Sequence, residues 1–156
     1  MLRSILIGLV AGQRAMAPLA AVASAARRGV LPAGAPGARL LANPLVVSGA
    51  IALAGSEMAG DKLRSAPDRI ILPGLIARSV TAAFAGAALA PMEQRKTAAV
   101  LAAATAIAAS YVGFRLRVRA MRSFGQDVTG FVEDAIVMAS GTAVANLNRP
   151  VQRSSR

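Results

Sequence analysis

Charged residues in this chain are bunched, and long apolar runs separate the bunches. Between Ser4 and Ala26 the only charge is Arg14, between Ile70 and Ala90 it is Arg78, and between Val128 and Leu147 it is the pair Glu133–Asp134. The runs Leu40–Ser56 and Thr97–Phe114 hold none. A helix needs about 20 mostly apolar residues to cross a hydrocarbon layer about 30 Å thick. Five segments fit, at 4–26, 40–60, 70–90, 97–116 and 128–147. The pattern predicts an all-α fold: a polytopic transmembrane helical bundle of about five membrane helices, one domain over 1–148, with a short basic tail over 149–156 expected to be disordered. A soluble Ala-rich bundle would need a polar stripe on each helix, and the fourth segment offers water little but Thr and Ser. The start of the chain also imitates a cleaved signal peptide, with Arg3, an apolar run and Ala-Val-Ala-Ser-Ala-Ala at 21–26. Gln13 and Arg14 interrupt that run where a signal needs continuity, which favours a retained first helix.

Composition supports the membrane reading and narrows the chemistry. Apolar residues make up 55% of the 156, mean hydropathy is +0.54, and the net charge is +11. With no Cys and no His, disulfides, thiolate nucleophiles, Ser-His-Asp triads and zinc sites of the usual N/S type are excluded. The basic residues sit in short connectors, where they set topology and touch anionic lipid. If five helices alternate, eight Lys and Arg fall on each side, so orientation is undecided. Either the tail lies too far from the last helix to count, leaving the C-terminus outside, or the chain inserts both ways and forms antiparallel dimers. Nucleic acid is not an expected partner: the positive charge is spread over both ends of the helices, and only Tyr111 and four Phe could stack on bases. The expected partner is the lipid bilayer, with a homo-oligomer left open.

Lipid gives no hydrophobic drive between helices, so close backbone contact must hold them together. Small residues recur at helical spacing in Gly8–Gly12, Ala82–Gly86–Ala90, Ala109–Gly113 and Gly141–Ala145, and these stripes read as packing seams. The charges at depth need partners. A central charge costs about 2.5–3.5 kcal/mol on insertion scales, so two Arg and three or four carboxylates would cost on the order of 10 kcal/mol unpaired. The candidate ligand or ion-pathway residues are therefore Arg14, Glu57, Asp61, Arg78 and Glu133. Asp134 points about 100° away from Glu133 on a helix and is not expected to share its partner. Gly12 and Pro18 bracket Arg14 and predict a first helix kinked or broken near Gly12–Pro18, because proline removes a backbone hydrogen bond and glycine allows a bend. Such a break is tolerated at depth only where protein or a water cavity covers the open backbone. Gly12-Gln13-Arg14 also echoes Gly113-Phe114-Arg115, as an inverted repeat would.

An ordered set of motifs runs along the chain. Gly12-x-Arg14-x-Met16-x-Pro18-Leu19-Ala20 is followed by Glu57-x-x-x-Asp61-Lys62-Leu63, Ala66-Pro67-x-Arg69, Pro73-Gly74-Leu75-x-Ala77-Arg78, Gly113-Phe114-Arg115 and Glu133-Asp134-Ala135. Over residues 5–147 this set resembles the bacterial membrane-protein family catalogued as domain of unknown function 4126. The resemblance implies a small multi-pass protein of the bacterial inner membrane and no established activity. The chain departs from the pattern at Ala15 and Ala17, where hydroxyl residues are expected beside Met16 and Pro18.

Three functions are open. A small transporter or channel for an ion or small polar solute would use the broken helix and buried charges of both signs. A structural or assembly subunit would use those charges only to pair helices. A lipid-phosphate enzyme would hold Mg²⁺ on its carboxylates, but no phosphate loop of the G-x-x-x-x-G-K type is present, and the balance leans away from an enzyme. No cofactor is expected.

Overall fold

A computed structural model of the chain describes residues 1–60, 71–124 and 126–147. All secondary structure among the described residues is helical. The helices are α1 (Leu2–Gln13), α2 (Ala17–Arg27), the short α3 (Ala38–Leu41), α4 (Pro44–Gly60), α5 (Leu72–Ala88), α6 (Arg95–Phe124) and α7 (Gln126–Asn146), with a 3-10 turn (Met92–Gln94) ahead of α6. Proline falls in the first turn of α2, α4 and α5, where the missing N–H costs nothing. Asn43 caps α4, its side-chain oxygen accepting the Leu45 N–H at 2.9 Å. The connector from α2 to α3 turns on Gly29, Gly34 and Gly37, all with φ near +67°.

Small residues fill the interior and large apolar ones the exterior. The core is mostly alanine, and the largest fully buried side chains are Arg14, Ile7, Val22, Pro18 and Ser110. Meanwhile Leu45 is 81% exposed, and Leu72 and Val100 are each 70% exposed. This arrangement inverts what water imposes on a soluble core and matches packing in lipid, where small residues let backbones approach. Two helical stretches, Met92–Arg122 and Val128–Asn146, are long and apolar enough to cross a membrane, and only 28% and 33% of their apolar windows are buried in the protein. A soluble core helix of that character would be mostly covered. The helices α1, α4 and α5 are apolar but shorter.

Three glycines mark where α1 and α5 lie closest against α6. A Cβ at Gly8 would stand 2.6 Å from the Ala102 carbonyl oxygen, one at Gly12 would stand 2.5 Å from the Ala109 Cβ, and one at Gly86 would stand 2.7 Å from the Ala98 carbonyl oxygen. Both α1 and α5 thus press their backbones onto α6, along seams that the small-residue spacing marks.

The main departure from expectation is the path of the first segment. Arg3, at the start of α1, donates to the carbonyls of Val144 and Ala145 at the end of α7 and of Leu89 just after α5, at 3.3, 2.9 and 3.3 Å. Arg28, just past α2, reaches Asn146 at 3.2 Å, and Ala21, Ala25 and Ala145 pack together. Both ends of the α1–α2 unit therefore lie at the same end of the bundle. Residues 4–26 form not one crossing helix with a kink but a helical hairpin, each arm about 17 Å long at 1.5 Å per residue. Its tip, Arg14–Met16, is buried partway down the bundle. The other helices alternate: α4 runs away from the amino end, α5 returns, α6 runs away and α7 returns. Since α1 and α6 run in the same direction, the inverted repeat suggested by the Gly-x-Arg echo is absent. The segment read as a basic connector, 115–127, is also different: α6 continues through it to Phe124. Its Arg, Leu, Val, Ala and Met are strong or tolerable helix formers, with no Pro or Gly among them before Gly125. The tail over 149–156 lies outside the described residues.

Candidate functional site

The hairpin tip is a chain reversal made without a glycine at its turning point. Gln13 ends α1, and Arg14 swings to φ −141°, ψ 122°, while its own N–H still closes the last turn onto the Val10 carbonyl at 3.1 Å. Met16 is back in the helical region as the N-cap of α2, with Pro18 in the first turn. The break therefore falls within the predicted Gly12–Pro18 interval. It frees backbone groups that must be satisfied in a buried setting.

Other helices satisfy them. The Glu57 carboxylate, from α4, accepts the N–H of Ala15 on one oxygen at 2.7 Å and that of Met16 on the other at 2.8 Å. This places a negative group against the positive end of the α2 dipole. On the opposite flank, the Ser110 hydroxyl of α6 lies 3.1 Å from the Gly12 carbonyl and 2.8 Å from the Ala106 carbonyl, sharing its one proton between them. Gln13 donates from Nε2 to the Ala109 carbonyl at 3.1 Å, and its amide occupies the space a side chain at Gly113 would need.

The Arg14 guanidinium, 1% exposed, meets Asp134 of α7. Nε donates at 2.9 Å, and a terminal nitrogen donates to the same oxygen. Glu133, the expected carboxylate, pairs with Arg117 of α6 at 3.0 Å and stands within electrostatic reach of Arg14. Adjacent helical residues diverge by about 100°, so the two carboxylates approach the tip from different directions. Arg78 is 5% exposed on α5. It sits about 12 Å along the helix from Gly86, at roughly the depth of Arg14. Asp61 lies outside the described residues. Among the described residues no group of three or more acidic side chains converges as a metal site would require. Of the sequence-predicted residues, Arg14 and Glu57 meet at the tip. Glu133 sits on the next helix face with Arg117, and Arg78 is buried on α5. Asp134, Ser110, Gln13 and Arg117 complete the constellation and were not singled out by spacing.

Between the far halves of α6 and α7 lies an open groove of about 580 Å³, lined chiefly by Leu116, Arg117, Val132, Glu133 and Ile136, with Gln13 among the lining residues. Its walls are almost wholly apolar apart from the Arg117–Glu133 pair, Thr129 and Gln13.

No protein-family model, curated protein or solved structure matches this chain. The site itself therefore carries the functional reading.

Proposed function

We propose that the chain is a multi-pass protein of the bacterial inner membrane in which α4, α5, α6 and α7 cross the bilayer and α1–α2 forms a re-entrant hairpin. In this reading the hairpin tip is the gate of a pathway for an ion or small polar solute. The observation that carries it is the buried tip itself: two half-length helices end at depth, where charged side chains from α1, α4 and α7 converge on broken backbone. Membranes tolerate irregular backbone at depth where protein or a water cavity covers it, and transporters use such helix ends to hold their cargo. The Arg14–Asp134 pair and the Glu57 contacts describe the closed arrangement. Opening requires the tip to exchange these partners for solute or water. In this topology Arg3 joins Arg27, Arg28, Arg39, Arg95 and Lys96 on one side, opposite Arg115, Arg119 and Arg122, and moving Arg3 turns the eight-to-eight count into seven against nine.

A structural role is the second reading, favoured by the closed pairing of Arg14 with Asp134. One experiment separates the two. Breaking a buried ion pair is costly, whereas replacing both partners with apolar residues of similar size is often neutral or better. An Arg14→Met, Asp134→Leu double variant should therefore fold and accumulate like wild type. In liposomes loaded with dyes for protons, potassium and chloride, wild-type protein should pass at least one solute faster than empty vesicles, and the double variant should not. A double variant that conducts like wild type, or wild-type vesicles no leakier than empty ones to any of these and to glycerol, would overturn the gate.

A further inference from the structure

We infer that the solute admitted by the hairpin gate is a small monovalent anion. The inference rests on the gate proposed above and names its cargo.

Charge at both ends of the bundle is the first support. At the amino end Arg27, Arg28, Arg39 and Lys96 are exposed, and Arg3 and Arg95 lie at the same end, where they donate to backbone carbonyls. Among the described residues this end holds one acidic side chain, Glu93. At the far end Arg115, Arg119 and Arg122 are exposed on α6. In sequence, the segments 61–69 and 115–127 together carry seven basic residues and three acidic ones. Topology does not call for this pattern, because orientation is set by concentrating Lys and Arg on one side and not by placing them on both. A surface of one sign raises the local concentration of ions of the other sign and repels its own. Anions are therefore gathered, and cations held off, at whichever end the pathway is entered.

The tip supports the same cargo, since its fixed groups are donors. The N–H groups of Ala15 and Met16 belong to broken backbone that cannot leave its depth, and the Arg14 guanidinium is 1% exposed. Their partners are side-chain carboxylates, Glu57 for the backbone and Asp134 for the guanidinium. A cation that drew these carboxylates away would leave the donors without an acceptor, at about 1–3 kcal/mol for each buried group, and would stand beside a like charge. An anion does the reverse: it takes the place of a carboxylate and keeps the donors satisfied. Glu57 is the carboxylate able to yield. It is half-buried, on a helix whose buried residues are Ala50 and Ala54, whereas Asp134 is buried and holds Arg14. One carboxylate is exchanged for one charge, and α1 packs so close to α6 that a Cβ at Gly12 would stand 2.5 Å from the Ala109 Cβ, so the ion is monovalent and compact. Glu57 is thus a tethered stand-in for the cargo, and passage consists of a mobile anion changing places with it.

The test counts tracer uptake by liposomes carrying the full-length protein, loaded with sodium chloride or sodium nitrate and given radiolabelled chloride or radiolabelled rubidium outside. Wild-type vesicles should take up chloride at least fivefold faster than rubidium, and internal nitrate should support chloride uptake as internal chloride does. Glu57→Gln keeps an acceptor at the tip and removes its charge. It should raise chloride uptake severalfold, whereas a cation pathway would lose its ligand and slow down. Chloride uptake no faster than rubidium uptake, or a folded Glu57→Gln protein that takes up chloride no faster than wild type, would overturn the anion and leave the gate standing. If Glu57→Gln does not fold, the wild-type comparison of chloride with rubidium decides alone. Uptake of neither tracer above empty vesicles overturns the anion, and if protons and glycerol also fail to pass, the gate falls with it.

Discussion

Asp134 illustrates how one residue decides the fate of another. It accepts the Arg14 guanidinium in a setting where the cation is 1% exposed and the carboxylate side chain 11%. Truncation to Asp134→Ala takes a hydrogen-bonded carboxylate from a buried cation and should cost up to about 3–5 kcal/mol, seen as a lower melting temperature in detergent. Glu133→Ala should also destabilise, since its pair with Arg117 is nearly as covered, the two side chains being 15% and 10% exposed. Glu57→Gln keeps one acceptor for the tip and loses the charge. It should destabilise by about 1–3 kcal/mol, visible as faster hydrogen exchange at Ala15 and Met16. The sequence identified Arg14 and Glu57 because an isolated charge in an apolar run demands a partner. It did not choose between Glu133 and Asp134, since the rotation of α7 about its axis is set by contacts with α1 and α2 that no local pattern encodes. Arg117 escaped notice for a related reason: three neighbouring arginines made it look like part of a solvated loop.

At the scale of elements, close backbone approach replaces bulk. Gly12→Leu and Gly86→Leu should each separate a helix from α6, at a cost of at least the 1–3 kcal/mol typical of overpacking, and both should reduce the yield of folded protein. Gly49→Leu on α4, where no neighbour stands within 4 Å of an added Cβ, is the control and should be tolerated. Helix existence was legible because apolar run length and Pro placement act locally. The direction of α2 was not. Hydropathy counts residues and is blind to whether a chain continues or turns back, and the reversal at Arg14–Met16 lacks the positive-φ glycine that usually advertises a turn. What folds α2 back is long-range: Glu57 on its first N–H groups and the small residues it lays against α7.

For the whole molecule, the hairpin makes a topological statement that chemistry can check. The chain has no cysteine, so single cysteines can be placed at will. Cysteines replacing Leu2 and Gly29 should react with a membrane-impermeant maleimide from the same side of sealed vesicles, and one replacing Arg122 should react only from the other. Labelling of Leu2→Cys and Gly29→Cys from opposite sides would restore a crossing first helix and remove the gate. The same layout sets an order of events during synthesis. Arg14 leaves the ribosome 120 residues ahead of Asp134, and at about 5–20 residues per second the wait is roughly 6–24 s. Throughout that interval the newborn hairpin lacks the Asp134 carboxylate, and until Arg95 and the residues after it emerge it has no α6 to lean on. In the proposed membrane topology it would linger at the bilayer surface or in the translocon's care, and sink to its final depth only once the last helix has arrived to receive it.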